Sequence, residues 1–149
     1  YPREKDETDL ELALAFAAIQ LEKTTQSTTC KDIFLYGATG GRIDHLLGNI
    51  SLMIGHARKG LRIRLVDPDH EVWVVTGTES IPGRKGQEIS FLPLSEKAVL
   101  SLEGFYYPLK TETLYQTIPR GISNVFLGNA GIVQIHEGIV LAVLLRQHD

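Results

Sequence analysis

Asp6 and Asp9 stand three residues apart at the head of an apolar-periodic segment, close enough in sequence to converge on one hard cation. Mg²⁺ takes one or two protein carboxylates and completes its octahedron with water and substrate phosphates, so this pair suffices to hold a nucleotide–metal complex. The same residues also fit a plainer arrangement, in which Asp9 complements a helix dipole for about 0.3 to 1 kcal/mol and Asp6 is solvated.

A second group is Gly37-Ala38-Thr39-Gly40-Gly41-Arg42, between an apolar run and a helical stripe. A loop that leaves a strand and opens a helix points free amides at whatever lies before the sheet, and anions bind there. Gly40 and Gly41 let backbone approach a phosphate, and Arg42 offers a planar fork for two oxygens. The plainer reading is a strand-to-helix turn carrying an exposed arginine. A dinucleotide-binding loop wants a third glycine at position 43, where this chain has Ile43, which disfavours a nicotinamide-dependent reductase. Asp44 and His45 follow in the first helical turn, and position favours Asp44 for orienting a metal, a water or an acceptor hydroxyl. A third group, Pro119-Arg120-Gly121-Ile122-Ser123-Asn124, brings small polar side chains to a turn, suited either to hydrogen-bonding a heterocycle or simply to turning the chain.

These groups need elements to place them. Leu10, Leu14, Ala17 and Leu21 recur at helical spacing between Thr8 and Lys23, and Thr8 with Glu11 fits a capping box. Ile33 to Tyr36 reads as a strand buried on both faces, and Ile43, Leu46, Leu47, Ile50 and Ile54 as a helix closed by Gly60. Leu61 to Val66 alternates as a strand. This helix–strand–helix–strand order predicts an α/β layer with a partly parallel sheet over residues 1–67. From residue 68 to 149 the character is all-β: His70–Thr76, Glu88–Leu92, Val99–Leu102, Val125–Leu127, Ile132–Ile135 and Ile139–Leu145 are short and separated by turn residues, which predicts a sandwich or barrel. Glu137-Gly138 is expected to be a hairpin turn joining the last two strands.

Composition narrows the classes. With 149 residues, 43% of them hydrophobic and 22% charged, the chain can bury a core. A net charge of −3 provides no field for nucleic acid or anionic lipid. The single cysteine, Cys30, forms no intramolecular disulfide, and no apolar run approaches the length of a membrane span, so a cytoplasmic protein is expected.

Taken together, Glu4-Lys5-Asp6-Glu7-Thr8-Asp9 leading into Leu10 to Leu14, then Gly37 to His45, then Gly121-Ile122-Ser123-Asn124, resembles the bacterial thiamine pyrophosphokinases in order and spacing, over essentially the whole chain. The resemblance implies a three-layer N-terminal α/β domain that binds ATP and a C-terminal β-sandwich that binds thiamine and forms a homodimer. It implies Mg²⁺ held by Asp6 and Asp9, ATP contacts from Lys5, Thr8, Gly40, Gly41 and Arg42, and catalytic roles for Asp9, Arg42 and Asp44. Ser123 and Asn124 would hold thiamine between subunits, and Asp44 would either orient the hydroxyl or ligate metal. The family also carries an Asp-x-Asp-Ser motif upstream. Its absence, with a first residue Tyr1, leads to the expectation of an N-terminally incomplete chain and α/β layer. The implied reaction moves pyrophosphate from ATP to the hydroxyl of thiamine, and a non-catalytic nucleotide-binding module is the main alternative.

Overall fold

The computed structural model describes residues 8–24 and 31–148, so Lys5 and Asp6 lie outside the described residues. Two helices and ten strands follow in order: α1 (Asp9–Thr24), β1 (Lys31–Tyr36), α2 (Ile43–Ala57), β2 (Leu61–Val66), β3 (His70–Val75), β4 (Thr78–Pro82), β5 (Glu88–Pro93), β6 (Lys97–Glu103), β7 (Leu109–Tyr115), β8 (Asn124–Val125), β9 (Ala130–Glu137) and β10 (Val140–Leu145). The protein is thus mostly β, with its helices confined to the first part of the described chain.

Helix α1 starts where the sequence predicts. The Thr8 amide donates to the Glu11 carboxylate, and the Glu11 amide donates to Thr8 Oγ1 at 3.2 Å, which completes the capping box. Helix α2 lacks a side-chain cap, since its N-cap residue, Arg42, carries no side-chain acceptor for the first amides.

The strands form two sheets, one of six strands in the order β1-β2-β3-β10-β5-β8 and one of four in the order β4-β9-β6-β7. Strands β1 and β2 are parallel, with Asp32 opposite Arg62 and Tyr36 opposite Val66. Strand β3 then turns back antiparallel on β2. The six-stranded sheet therefore runs without a break through the turn at residues 67–69, and both sequence-predicted regions contribute strands to it. The alternation of β2 explains its position: Ile63 and Leu65 are buried against the helices, with Leu14, Met53, Val72 and Val74, Leu61 is buried too, and the arginines between them face the other way.

The second core lies between the sheets, where Trp73, Ile89, Phe91, Leu100, Phe105, Leu114, Phe126 and Val140 are buried. Phe105 sits between two aromatic neighbours, with ring centroids 5.5 Å from Phe91 and 4.9 Å from Phe126. Packing of this kind adds to the area term by fixing one arrangement of the rings.

Two expectations are corrected. Strand β1 is not covered on both faces: Phe34 and Tyr36 are 51% and 74% exposed, on the edge strand of the sheet among the described residues. Nor do the last two strands form a hairpin. Strand β9 pairs with β4 and β6, and β10 pairs with β3 and β5, so Glu137-Gly138 carries the chain from one sheet to the other. Gly138, at φ 85°, makes this step in the left-handed region, and a Cβ there would meet the Lys97 carbonyl oxygen at 2.5 Å. Strands β4 and β7 are not apparent in the sequence pattern, since each carries too many charged or hydroxyl residues to alternate cleanly.

Candidate functional site

Parallel strands β1 and β2 end side by side, and the loops that leave them share one end of the sheet. In open sheets of this kind ligands bind outside the carboxyl ends of the strands. The first loop is Gly37 to Arg42, which turns at once into α2. Gly37 takes φ 74°, a conformation costly for a side chain, and the Arg42 amide donates to the Gly40 carbonyl at 2.6 Å. Nothing stands within 4 Å of a Cβ placed at Gly40 or Gly41, so this part of the loop is open to an approaching group. Asn49 Nδ2 donates to the Ala38 carbonyl at 3.0 Å and ties the loop to the body of α2.

Arg42 and Asp44 are brought together. Arg42 Nε and Nη2 donate to the two Asp44 oxygens at 3.1 and 2.6 Å, while both side chains stay largely exposed, at 70% and 63%. The arginine holds the Asp44 carboxyl below its ordinary range, helped by the His45 amide. The fork is thus paired with a neighbouring carboxylate and still open to solvent. His45 is exposed beside them.

The second loop holds a residue given no role by sequence reasoning. Asp67 Oδ1 accepts from the amides of Asp69 at 2.8 Å and His70 at 2.6 Å, and the Thr39 hydroxyl of the glycine loop also bonds the carboxylate. Burial works against its charge, but these donors outweigh it and hold the carboxyl below its ordinary value of 3.8. With its carboxylate turned into this turn, Asp67 stitches the two loops together. The only hint in sequence was an Asp-Pro-Asp turn.

A depressed folded-state pKa means that the unfolded chain binds more protons across the window. Stability from Asp67 is therefore complete above pH 3.8 and lost as pH falls through the lower folded value. Thermal midpoints measured down the acid limb should decline steeply for the parent and less steeply for Asp67→Asn. Equal slopes would show that the carboxylate is not held by these donors.

Asp9 is exposed in the first turn of α1. Its carboxylate has the oxygen chemistry that Mg²⁺ prefers, and one or two such ligands are enough. Among the described residues no group of three or more His, Cys, Asp or Glu side chains is placed to hold a metal.

Ser123 and Asn124 lie far from this loop. Asn124 opens β8, at the opposite edge of the six-stranded sheet from β1, and Ser123 ends the turn just before it. Five strand spacings of about 4.8 Å separate the two edges by roughly 24 Å. Ser123 is held at φ 58°, with its amide donating to Ser90 Oγ at 3.0 Å. Asn124 is buried: its Nδ2 donates to the Tyr107 carbonyl at 2.8 Å, and its Oδ1 accepts from the Tyr107 amide at 3.0 Å and the Val125 amide at 2.9 Å. Its side chain fixes the Tyr107 backbone beside a cavity of about 260 Å³ lined by Tyr107, Leu114, Arg120, Gly121, Ile122 and Asn124. No helix among the described residues is long and apolar enough to cross a membrane.

Two family sequence profiles match the chain: "Thiamin pyrophosphokinase, catalytic domain" over residues 1–65 and "Thiamin pyrophosphokinase, vitamin B1 binding domain" over residues 71–140. The chain is 36% identical over 152 residues to the thiamine pyrophosphokinase of Bacillus subtilis (strain 168), covering 100% of this chain and 66% of that protein. Among solved structures it is similar to thiamine pyrophosphokinase from Bacillus subtilis, with TM-score 0.84 and 33% identity over 97% of this chain and 65% of the other. It is also similar to thiamin pyrophosphokinase from Geobacillus thermodenitrificans, with TM-score 0.81 and 33% identity over 100% of this chain and 66% of the other. The chain thus spans just under two thirds of the length of these relatives.

Proposed function

The chain belongs to the thiamin pyrophosphokinase family, and from that premise we propose that it transfers the terminal pyrophosphoryl group of ATP to the hydroxyl of thiamine, giving thiamine diphosphate and AMP. The observation that carries this reading is the open Gly37–Arg42 loop at the carboxyl end of β1, with an exposed arginine fork at the head of α2. Residues 1–67 then serve as part of a three-layer α/β nucleotide-binding domain, and residues 68–149 as a sandwich that binds thiamine, in a cytoplasmic enzyme.

In the reaction the thiamine oxygen bonds to the β-phosphorus of ATP as the bond from that phosphorus to the α–β bridging oxygen breaks, so AMP leaves and the hydroxyl proton passes to solvent. Gly40 and Gly41 admit the phosphates to the loop, with Lys5 and Thr8 also on the nucleotide. Arg42 exchanges its carboxylate partner for phosphate oxygens and stabilises the charge that develops on the transferred group. Asp44, released by that exchange, orients the acceptor hydroxyl or ligates metal. Asp6 and Asp9 would hold Mg²⁺, which when bound neutralises phosphate charge and aligns the leaving group.

Ser123 and Asn124 hold thiamine, and the roughly 24 Å between sheet edges favours a reaction centre made by two copies, each giving its loop to the other's sandwich. Mixing Arg42→Ala with Ser123→Asn, each impaired alone, should then restore part of the turnover, because each mixed pair of copies retains one intact centre. No recovery on mixing would place both groups in one chain's site.

Arg42→Ala should lower kcat about 10²-fold, and Arg42→Lys less, since lysine keeps the charge but loses the fork. Steady-state kinetics with both substrates checks this. The defining test is incubation with Mg²⁺, ATP and thiamine. Equal amounts of thiamine diphosphate and AMP support the reading, ADP makes the protein an ordinary kinase, and ATP binding without product makes it a nucleotide-binding module.

A further inference from the structure

At the corner where the four-stranded sheet ends on β4, five charged side chains from four strands meet on the face of the six-stranded sheet that the helices leave open. Arg62 grips Asp32 with two bonds, at 2.7 and 2.9 Å, and turns its remaining nitrogen to Glu79. Arg64 bonds Glu71 at 2.7 Å and Asp32 at 3.4 Å, stands 3.8 Å from Glu79, and lies 4.4 Å from the centroid of the Trp73 ring. The indole N–H of Trp73, fully buried and without a partner at hydrogen-bonding geometry, lies beside the Glu79 carboxylate.

Two features set this network apart. It crosses between sheets, since Asp32 belongs to β1, the arginines to β2, Glu71 and Trp73 to β3, but Glu79 to β4 of the other sheet. It is also unbalanced, with three carboxylates against two guanidiniums, and burial raises the Glu79 carboxyl above its ordinary range although Arg62 and Arg64 pull it down. In a half-buried network, desolvation offsets attraction and little net stability results. What the arginine forks do supply is direction, because a two-bond grip accepts one orientation.

We propose that the Asp32–Arg62–Glu79 link, buttressed by Arg64, Glu71 and Trp73, positions the reaction centre by fixing the angle at which β1 and β2 sit on the sandwich. Asp32 and Arg62 lie near the starts of their strands, and the glycine loop leaves the far end of β1, four residues or about 13 Å away. A rotation of about 5° about the network carries the loop by about 1 Å, and a displacement of that size in a two-substrate centre lowers turnover by as much as about 10²-fold. The kinetic part of this proposal rests on the reading of the loop as the phosphate site.

Glu79→Gln keeps the size of the side chain and removes its charge. Spin labels on cysteines placed at the exposed positions Leu47 and Gln134, with Cys30→Ser, report the angle between α2 with its strands and the sandwich. Relative to the parent, Glu79→Gln should broaden the distance distribution and lower kcat about tenfold or more, with both KM values within about threefold and the thermal midpoint within a few degrees. An unchanged distribution overturns the proposal, as does a broadened one with parental kcat. A parent that makes no AMP defeats the reaction reading alone, because the distances still decide whether the network sets the angle.

Discussion

Asp9→Asn should lower kcat by about 10³-fold or more, because in the proposed reaction it removes a charge that would hold the metal–nucleotide complex, and such a loss corresponds to about 4 kcal/mol of transition-state stabilisation. The structure makes the variant informative by separating two roles. The helix cap is completed by Thr8 and Glu11 through their reciprocal bonds, so the Asp9 carboxylate is not required for it. What Asp9 gives the helix is its charge near the N-terminus, worth about 0.3 to 1 kcal/mol, and asparagine keeps the shape without it. The expected pattern is a nearly parental thermal midpoint, a kcat close to background, and an Mg²⁺ requirement shifted to higher concentration. Parental turnover would sink the metal assignment, and loss of folding would return Asp9 to a structural role.

The second large effect is expected on stability. A Cβ at Gly121 would stand 2.1 Å from the carbonyl oxygen of Phe91, whose own amide donates to the Gly121 carbonyl at 2.8 Å. Backbone presses on backbone here, and no side chain can rotate away to relieve the contact. Gly121→Ala should destabilise by about 3 kcal/mol or more, the upper end of overpacking effects, and lower the thermal midpoint by roughly 10 °C. It should also displace Ser123 and Asn124, which follow directly, and so weaken the thiamine binding proposed for them. Gly128→Ala is the control, since nothing lies within 4 Å of a Cβ there. Calorimetry of both variants decides the point, and equal midpoints would show that the Phe91 strand gives way.

The sequence was most informative where one local rule governed one local feature. The Thr8–Glu11 cap, the buried alternation of Leu61, Ile63 and Leu65, and the glycine turn after Tyr36 each depend on a few neighbouring residues, and the structure contains each. It was least informative where partners are distant in sequence. Phe34 and Tyr36 look like core residues of a parallel strand, and only the order of strands shows that they stand exposed at an edge. Glu137-Gly138 has the composition of a hairpin turn, and the destination of β10 is set by β3 and β5, which begin some 70 and 50 positions earlier. In the candidate site, loop and arginine were legible because helix-opening glycines have a local meaning. Asp67 and the network around Arg62 were not, since nothing in an Asp-Pro turn or an Arg-x-Arg alternation names the carboxylates and amides that will meet it.

The place of β10, inserted between β3 and β5, bears on the order in which the protein comes to exist. A nascent chain that lacks β10 holds β1, β2 and β3 as one ribbon and β5 with β8 as another, with no strand to join them. Leu145 pairs with His70 and Leu144 with Ile89, so the closing contacts are among the most distant the chain makes. Such contacts form slowly, and unpaired strand flanks stay available to wrong partners until they do. The six-stranded sheet therefore stays divided during synthesis until β10 has emerged from the ribosome, and the earlier strands must wait for it.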